Sequence, residues 1–127
     1  MCIKFRRIKI KKITHILCCG IELKLFFPDQ FKYKKIDLID KETSEIRKYF
    51  DETNIFINDA LINGGNILVH CYCGISRSAS IIIAYLMKHN KMDYNKAFNF
   101  IKEKREIIKP NSGFISQLRE YEKELGY

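Results

Sequence analysis

The spacing of apolar positions divides this chain into strand-like and helix-like stretches. Between residues 3 and 19, Ile alternates with Lys, as in Ile8-Lys9-Ile10-Lys11, and the pattern then runs into Ile13-Thr14-His15-Ile16-Leu17-Cys18-Cys19. A period of two that ends in a short apolar run predicts one strand or two, stopped by Gly20. Residues 21–31 hold a helical turn and loop at most. Residues 33–39 alternate again and predict another buried strand, ending at Asp40. From 43 to 63 the period lengthens: Ile46, Phe50, Ile57 and Leu61, with Tyr49, Phe56 and Ala60, fall at three-and-four spacing on one helical face. Asn63-Gly64-Gly65 stops that helix.

Residues 66–70, with Ile67-Leu68-Val69, then read as a short central strand, residues 71–76 as a loop, and residues 77–89 as a buried helix. Asp93 is a good N-cap for a helix that buries Ala97, Phe98 and Ile101. Lys109-Pro110-Asn111 breaks the pattern, and Ser112 stands where it can cap a last amphipathic helix over residues 114–125. Strands interleaved with helices, followed by further helices, predict an α/β fold.

Composition narrows this picture. A chain of 127 residues can bury a core without staples, and 46% hydrophobic with 30% charged residues excludes a disordered or fibrous chain. The net charge of +8 is uneven. Lys4, Arg6, Arg7, Lys9, Lys11 and Lys12 lie in the first twelve residues, where no acid occurs, leaving 17 basic and 15 acidic residues in the other 115. A basic leader, residues 1–12, therefore precedes a near-neutral domain, residues 13–127, and a nucleic-acid binder is a poor description. The longest strongly apolar stretch, residues 79–87, is too short to cross a bilayer. Lys and Thr interrupt the start before a secretory apolar core can form. Five Cys, four of them in two near-adjacent pairs, without Cys-x-x-Cys and with scattered His, argue against a disulfide framework or a metal site. Free thiols in a reducing compartment, cytoplasm or nucleus, are the expectation, with no cofactor.

The informative segment is Val69-His70-Cys71-Tyr72-Cys73-Gly74-Ile75-Ser76-Arg77-Ser78. A buried strand ends in a Cys, a short loop follows, and a helix begins at Arg77. Such a loop turns backbone N–H groups inward at a helix N-terminus and makes an anion-binding nest. Gly74 supplies the permissive dihedral, and Arg77 adds a planar fork for two phosphoryl oxygens. A free Cys has a pKa of about 8.5, and such surroundings lower it to roughly 3.5–7.5, so Cys71 is expected to be a thiolate. Cys73, two positions on, reads as a small residue packed under the loop.

The pattern His70-Cys71-x5-Arg77-Ser78 resembles the signature loop of the cysteine-dependent protein tyrosine phosphatases. With Gly64-Gly65, Leu68-Val69 and Gly74-Ile75-Ser76, it is similar to the dual-specificity branch. Ile13-Thr14-His15-Ile16-Leu17, the stretch 33–40, and Pro110-Asn111-x-Gly113-Phe114-x-x-Gln117-Leu118 match as well, so the resemblance runs from about residue 13 to the end. It implies a protein tyrosine phosphatase-like fold, with a central, mostly parallel sheet flanked by helices. The family normally places a further strand and helix before Ile13, so the expectation is an N-terminally shortened form.

The resemblance also implies roles. Cys71 is the nucleophile and Asp40 the general acid, with Asp37 the rival and a helix cap the plain alternative for Asp40. Residues Cys71, Tyr72, Cys73, Gly74, Ile75, Ser76 and Arg77 form the phosphate-binding loop. Ser78 helps the thiolate leave, His70 orients the loop, and Asn111 supports it from behind. Some relatives protect the nucleophile by a disulfide to a neighbouring strand, which makes Cys18 or Cys19 a redox partner for Cys71. The loop carries no Lys, and Ser78 follows Arg77, so phosphoprotein is preferred over lipid or RNA as substrate. A protein phosphatase acting on phosphotyrosine and phosphoserine/threonine is the resulting expectation. The alternatives are a catalytically silent phosphate-binding module or a phosphatase for a non-protein phosphoester. Lys32, Lys34 and Lys35 could meet an acidic peptide but read better as a solvated face.

Overall fold

The computed structural model describes residues 2–4, 12–25 and 29–127. In chain order these form β1 (Cys2–Lys4), β2 (His15–Cys19), β3 (Lys32–Ile36), α1 (Phe50–Ile62), β4 (Ile67–His70), α2 (Arg77–His89), α3 (Tyr94–Lys104) and α4 (Ser112–Glu124). The strands make one sheet in the order β1-β4-β2-β3. β2 is parallel to both neighbours, pairing Leu17 with Lys34 on one side and with Val69 on the other. β1 adds antiparallel to β4, so the sheet is mostly parallel. The Ile-Lys alternation at residues 8–11 and the segment 26–28 lie outside the described residues.

Strand parity sorts the central residues. Leu17 and Cys19 of β2 join Ile67 and Val69 of β4 in the main core, together with Cys71. Cys18 is also buried but stands on the other face, beside His70. The helix α2 has no polar side. Eleven of its thirteen residues are buried, from Arg77 to Met87, and it packs against α1, α3, α4 and the sheet. Each fully buried Ile of Ile81-Ile82-Ile83 contributes roughly 1.5–3 kcal/mol of transfer free energy, so this helix anchors the domain. Its first residue is Arg77, and the core thereby fixes where the loop before it must end. No helix among the described residues is long and apolar enough to cross a membrane.

Three elements differ from the sequence pattern, each because tertiary contacts recruit backbone groups. The helix expected from residue 43 begins at Phe50, after a 3-10 turn at Arg47–Tyr49. Gln117 of α4 accepts from the Arg47 N–H at 3.0 Å and donates to the Ser44 carbonyl at 2.8 Å, so these groups serve α4 instead. The strand expected over 33–39 ends at Ile36 and is only partly buried, because β3 is a sheet edge. Beyond it the Leu38 carbonyl accepts from Ile21 N–H and from Arg77. Finally, α4 is capped by Asn111, not Ser112: its side-chain oxygen accepts from Phe114 N–H at 2.9 Å. Asp93 caps α3 through Lys96 N–H at 2.8 Å.

Candidate active site

The loop between β4 and α2 carries Cys71 at its base. Gly74 N–H donates to Cys71 Sγ at 3.2 Å, and Ser78 Oγ lies 3.2 Å from the same sulfur. Gly74 sits at φ +68°, a conformation that side chains rarely adopt, so the close turn over the sulfur needs glycine. The carbonyls of residues 73–76 are engaged on the outer side of the loop. Arg105, just past α3, donates Nε–H to Gly74 O at 3.1 Å and Nη2–H to Cys73 O at 3.3 Å. Ile75 O accepts from Lys109 N–H at 2.8 Å, and Ser76 O from both Ser80 N–H and Ser80 Oγ–H. In a planar trans peptide the N–H opposes the C=O. Holding these carbonyls outward therefore turns the amides of residues 74–77 inward, toward the N-terminus of α2.

Arg77 is buried and faces the loop from the helix start. Its Nη1 and Nη2 donate to Glu22 Oε1 and Oε2 at 2.8 and 2.6 Å, and Nη1 also donates to Leu38 O at 3.1 Å. Nε–H is buried with no hydrogen-bond partner among the described residues. Glu22 is a site residue that the sequence pattern did not reveal, since one acid in the turn after a strand carries no distinguishing signal. The Arg77 hydrogen bond is the main reason that its carboxyl is held down at about 2, against an ordinary value of 4.5. Arg105 was equally silent in sequence, because a cation near a helix C-terminus is commonplace.

Asp40 comes to the same pocket. Asn111 Nδ2–H donates to Asp40 Oδ1 at 2.9 Å, while Asn111 N–H donates to Ser76 Oγ at 2.9 Å. One residue thus ties the carboxylate, the loop and the cap of α4 together. Asp37, the rival acid, is exposed on the far side beside Lys35. The pocket has a volume of about 600 Å³, and its walls include Cys71, Arg77, Asp40, Glu22, Ile75 and Ile115. Tyr72 stands at the rim, mostly exposed. Cys73 is exposed too, and not packed under the loop as its small size suggested, because its carbonyl is pulled outward by Arg105. Lys34 and Lys35 are occupied by Glu52 and by the Ile21 carbonyl, with Asp37 at 4.0 Å from Lys35.

Behind the loop, His70 Nε2 lies 3.1 Å from Cys18 Sγ, and the ring also hydrogen-bonds the Cys71 backbone. Burial is the main reason that the His70 pKa is lowered. Burial raises the Cys18 thiol to about 11. A neutral imidazole therefore faces a protonated thiol. Cys19 is fully buried, which pushes its thiol well up, and the neighbouring Cys71 adds to this. Among the described residues no three His, Cys, Asp or Glu converge as a metal site. A thiol under an amide nest, a buried guanidinium with a spare donor and a nearby carboxyl is an arrangement for in-line attack on a tetrahedral oxyanion.

A family model described as "Dual specificity phosphatase, catalytic domain" matches residues 2–124. Among curated proteins, the chain is 42% identical over 118 residues to dual specificity protein phosphatase 1B of Arabidopsis thaliana, covering 93% of this chain and 71% of that protein. It is 43% identical over 118 residues to dual specificity protein phosphatase 1 of the same plant, with 93% of this chain and 60% of that protein covered. Among solved structures, a human tyrosine phosphatase-like serine/threonine/tyrosine-interacting protein superposes with a TM-score of 0.83 at 42% identity. That match covers 88% of this chain and 78% of the other.

Proposed function

The chain belongs to the dual specificity phosphatase catalytic-domain family and is a protein phosphatase, and from that premise we propose that Cys71 is its nucleophile, Arg77 its phosphate ligand and Asp40 its general acid. The thiolate of Cys71 attacks phosphorus in line while the inward amides of residues 74–77 and Arg77 hold the equatorial oxygens. Asp40 gives its proton to the departing side-chain oxygen, because an alkoxide or phenolate leaves poorly. The products of this half-reaction are the free hydroxyl and phosphocysteine. Water then attacks phosphorus with Asp40 as base, and Ser78 Oγ–H, 3.2 Å from the sulfur, stabilises the thiolate as it leaves with inorganic phosphate as product. Asn111 holds Asp40 at the loop, and His70 steadies the Cys71 backbone.

The observation that carries this reading is the coincidence at one atom, Cys71 Sγ, of a loop amide, a hydroxyl and a facing guanidinium. Phosphoproteins are the substrates that the family implies. The test is vanadate-sensitive hydrolysis of p-nitrophenyl phosphate without added metal. Turnover is expected to vanish in Cys71→Ser, and equal rates for the two proteins would overturn the assignment. A thiol nucleophile must stay reduced, and Cys18, Cys19, Cys71 and Cys73 form no disulfide, which favours the cytoplasm or nucleus as its setting.

Of the two candidate redox partners, Cys19 is the one the strand register favours. Cys18 pairs with His70 across β2 and β4, so Cys19 and Cys71 follow one step further on both chains. Parallel neighbours lie about 4.8 Å apart, inside the span that a disulfide bridges. Peroxide would oxidise the Cys71 thiolate to a sulfenic acid, and the Cys19 thiolate would displace hydroxide from it to close the S–S bond.

A further inference from the structure

The pocket over Cys71 is built for an anion, yet its wall carries an acid that neither the fold nor the chemistry uses. Among the described residues, five charged ones line the cavity: Glu22, Asp40, Glu42, Arg77 and Lys109. Glu22 is neutralised by Arg77, and Asp40 takes a hydrogen bond from Asn111. Glu42 is exposed, and among the described residues its carboxylate has no ion pair and no hydrogen-bond donor. Lys109 is exposed on the same wall and forms no ion pair with it. A carboxylate beside a phosphate cradle repels every phosphorylated ligand. That repulsion becomes selectivity when the ligand brings a cation to meet it. Resting on the phosphatase reading, we propose that Glu42 is a specificity-determining residue: it accepts a Lys or Arg side chain flanking the phosphorylated residue, so the preferred substrates are phosphoproteins with a basic residue beside the phosphate.

The backbone fixes where this acid stands. A Cβ on Gly113 would overlap the Glu42 carbonyl, so residue 42 lies directly on the first turn of α4. Ser44 N–H closes a turn onto Lys41 O at 3.0 Å, and Gln117 Nε2–H holds Ser44 O at 2.8 Å. The start of α4 also holds Asp40, through Asn111 at 2.9 Å. Glu42 therefore keeps a set position beside the general acid, and a substrate cation that reaches it is held at the reacting phosphate. The cavity suits a long basic side chain as well. Pro110 and Ile115 line it with apolar surface, on which the methylene stem of Lys or Arg can lie while its charged end meets the carboxylate. An acidic flank in the same place meets repulsion from Glu42 in addition to that felt by the phosphate.

The test measures kcat/KM for p-nitrophenyl phosphate and for three phosphotyrosine peptides, in which the two residues on each side of the phosphotyrosine are all Lys, all Ala or all Glu. Flanking both sides alike makes the direction of the bound peptide immaterial. Wild type is compared with Glu42→Gln and Glu42→Lys. Lost attraction for Lys and relieved repulsion of Glu should each contribute roughly 2- to 5-fold, so the Lys-to-Glu peptide ratio falls roughly 4- to 25-fold in Glu42→Gln and further in Glu42→Lys. Lys109 is the same in all three proteins, so its own preference cancels from the comparison. The change should shrink when salt is raised from about 0.05 M to about 0.5 M. p-Nitrophenyl phosphate has no flanks and should gain slightly, because only repulsion is removed. This crossed response separates recognition from a structural role, which would move all four substrates in one direction. A ratio within about twofold of wild type in both variants overturns the proposal, and so does an equal loss on all four substrates. Fluorescence polarisation of the labelled Lys and Glu peptides on Cys71→Ser, with and without Glu42→Gln, reads the same preference without turnover. If wild type hydrolyses none of the substrates while Cys71→Ser prefers the Lys peptide through Glu42, the phosphatase reading fails alone. Normal turnover with an unmoved ratio, or a binding preference that survives Glu42→Gln, sinks the role of Glu42 alone.

Discussion

Replacing Arg105 by Ala removes the clamp on the outer side of the phosphate loop. The structure gives this side chain two hydrogen bonds into consecutive loop carbonyls, at 3.1 Å to Gly74 O and 3.3 Å to Cys73 O. Each is charge-assisted but partly solvated, so about 0.5–1.5 kcal/mol apiece is the appropriate scale. The two together come to about 1–3 kcal/mol. Nothing buried is stripped of its partner, because both carbonyls can turn to water. The consequence is a loop whose amides are no longer held inward before substrate arrives. If that orientation must then be recovered at the transition state, the same 1–3 kcal/mol appears as a fall of about 5- to 150-fold in kcat/KM. Steady-state hydrolysis of p-nitrophenyl phosphate measures it, and vanadate inhibition gives the oxyanion affinity independently. Thermal unfolding should move by only a few degrees. Arg105→Lys separates charge from geometry, since a point charge cannot reach both carbonyls in the forked way, and it should recover little. Wild-type kinetics in Arg105→Ala would show that the loop holds itself. Full recovery by Lys would make the effect one of long-range charge.

Asp40→Asn should cost roughly 10²- to 10⁴-fold on a phosphoserine peptide, whose leaving alkoxide needs the proton, and much less on p-nitrophenyl phosphate; equal losses on both would remove Asp40 from the acid role. His70 has its pKa lowered in the fold by burial, so the unfolded chain takes up a proton first as pH falls below about 6.5. Stability is thus full above that value and declines toward the lower folded pKa, and thermal unfolding of His70→Gln should show a flatter slope between pH 6.5 and 5. Peroxide treatment should link Cys71 to Cys19, more slowly than usual near neutral pH and faster as pH rises, because the buried thiol attacks only as thiolate. Peptide mapping of Cys19→Ser and Cys18→Ser reads this out: the link should vanish in the first and persist in the second.

The parts of this molecule that were legible in its sequence are those that local pattern determines. Helix α2 could be bounded at Arg77 and His89 because Gly74 and the end of an apolar strand precede it and the apolar run of residues 81–87 gives way to Lys88 and His89. Strand β4 and the Asp93 cap were readable for the same reason: alternation and capping act over three or four residues. The loop from Cys71 to Arg77 is likewise contiguous, so thiol, glycine and guanidinium stood out together.

What pattern could not supply was any group that acts across a long sequence separation. Gln117 reaches back 70 to 73 residues to take over the backbone at 44–47, and the helix expected there starts late as a result. Glu22 meets Arg77 across fifty-five residues, and Arg105 meets the loop across about thirty. Neither changes the local periodicity around it. The exposure of Cys73 has the same origin, for it follows from a clamp whose partner lies in another element. The loop chemistry is therefore written in one short segment, whereas the rigidity of its charged groups is written in isolated residues that only the folded chain brings together. Glycine is the one place where the second kind of information leaves a trace. Gly20 ends a strand, as its type suggests, but the atoms that a side chain would strike there are Arg77 Nη1 and Glu22 Oε1. A residue that looks like punctuation in the sequence is, in the fold, the floor under the ion pair.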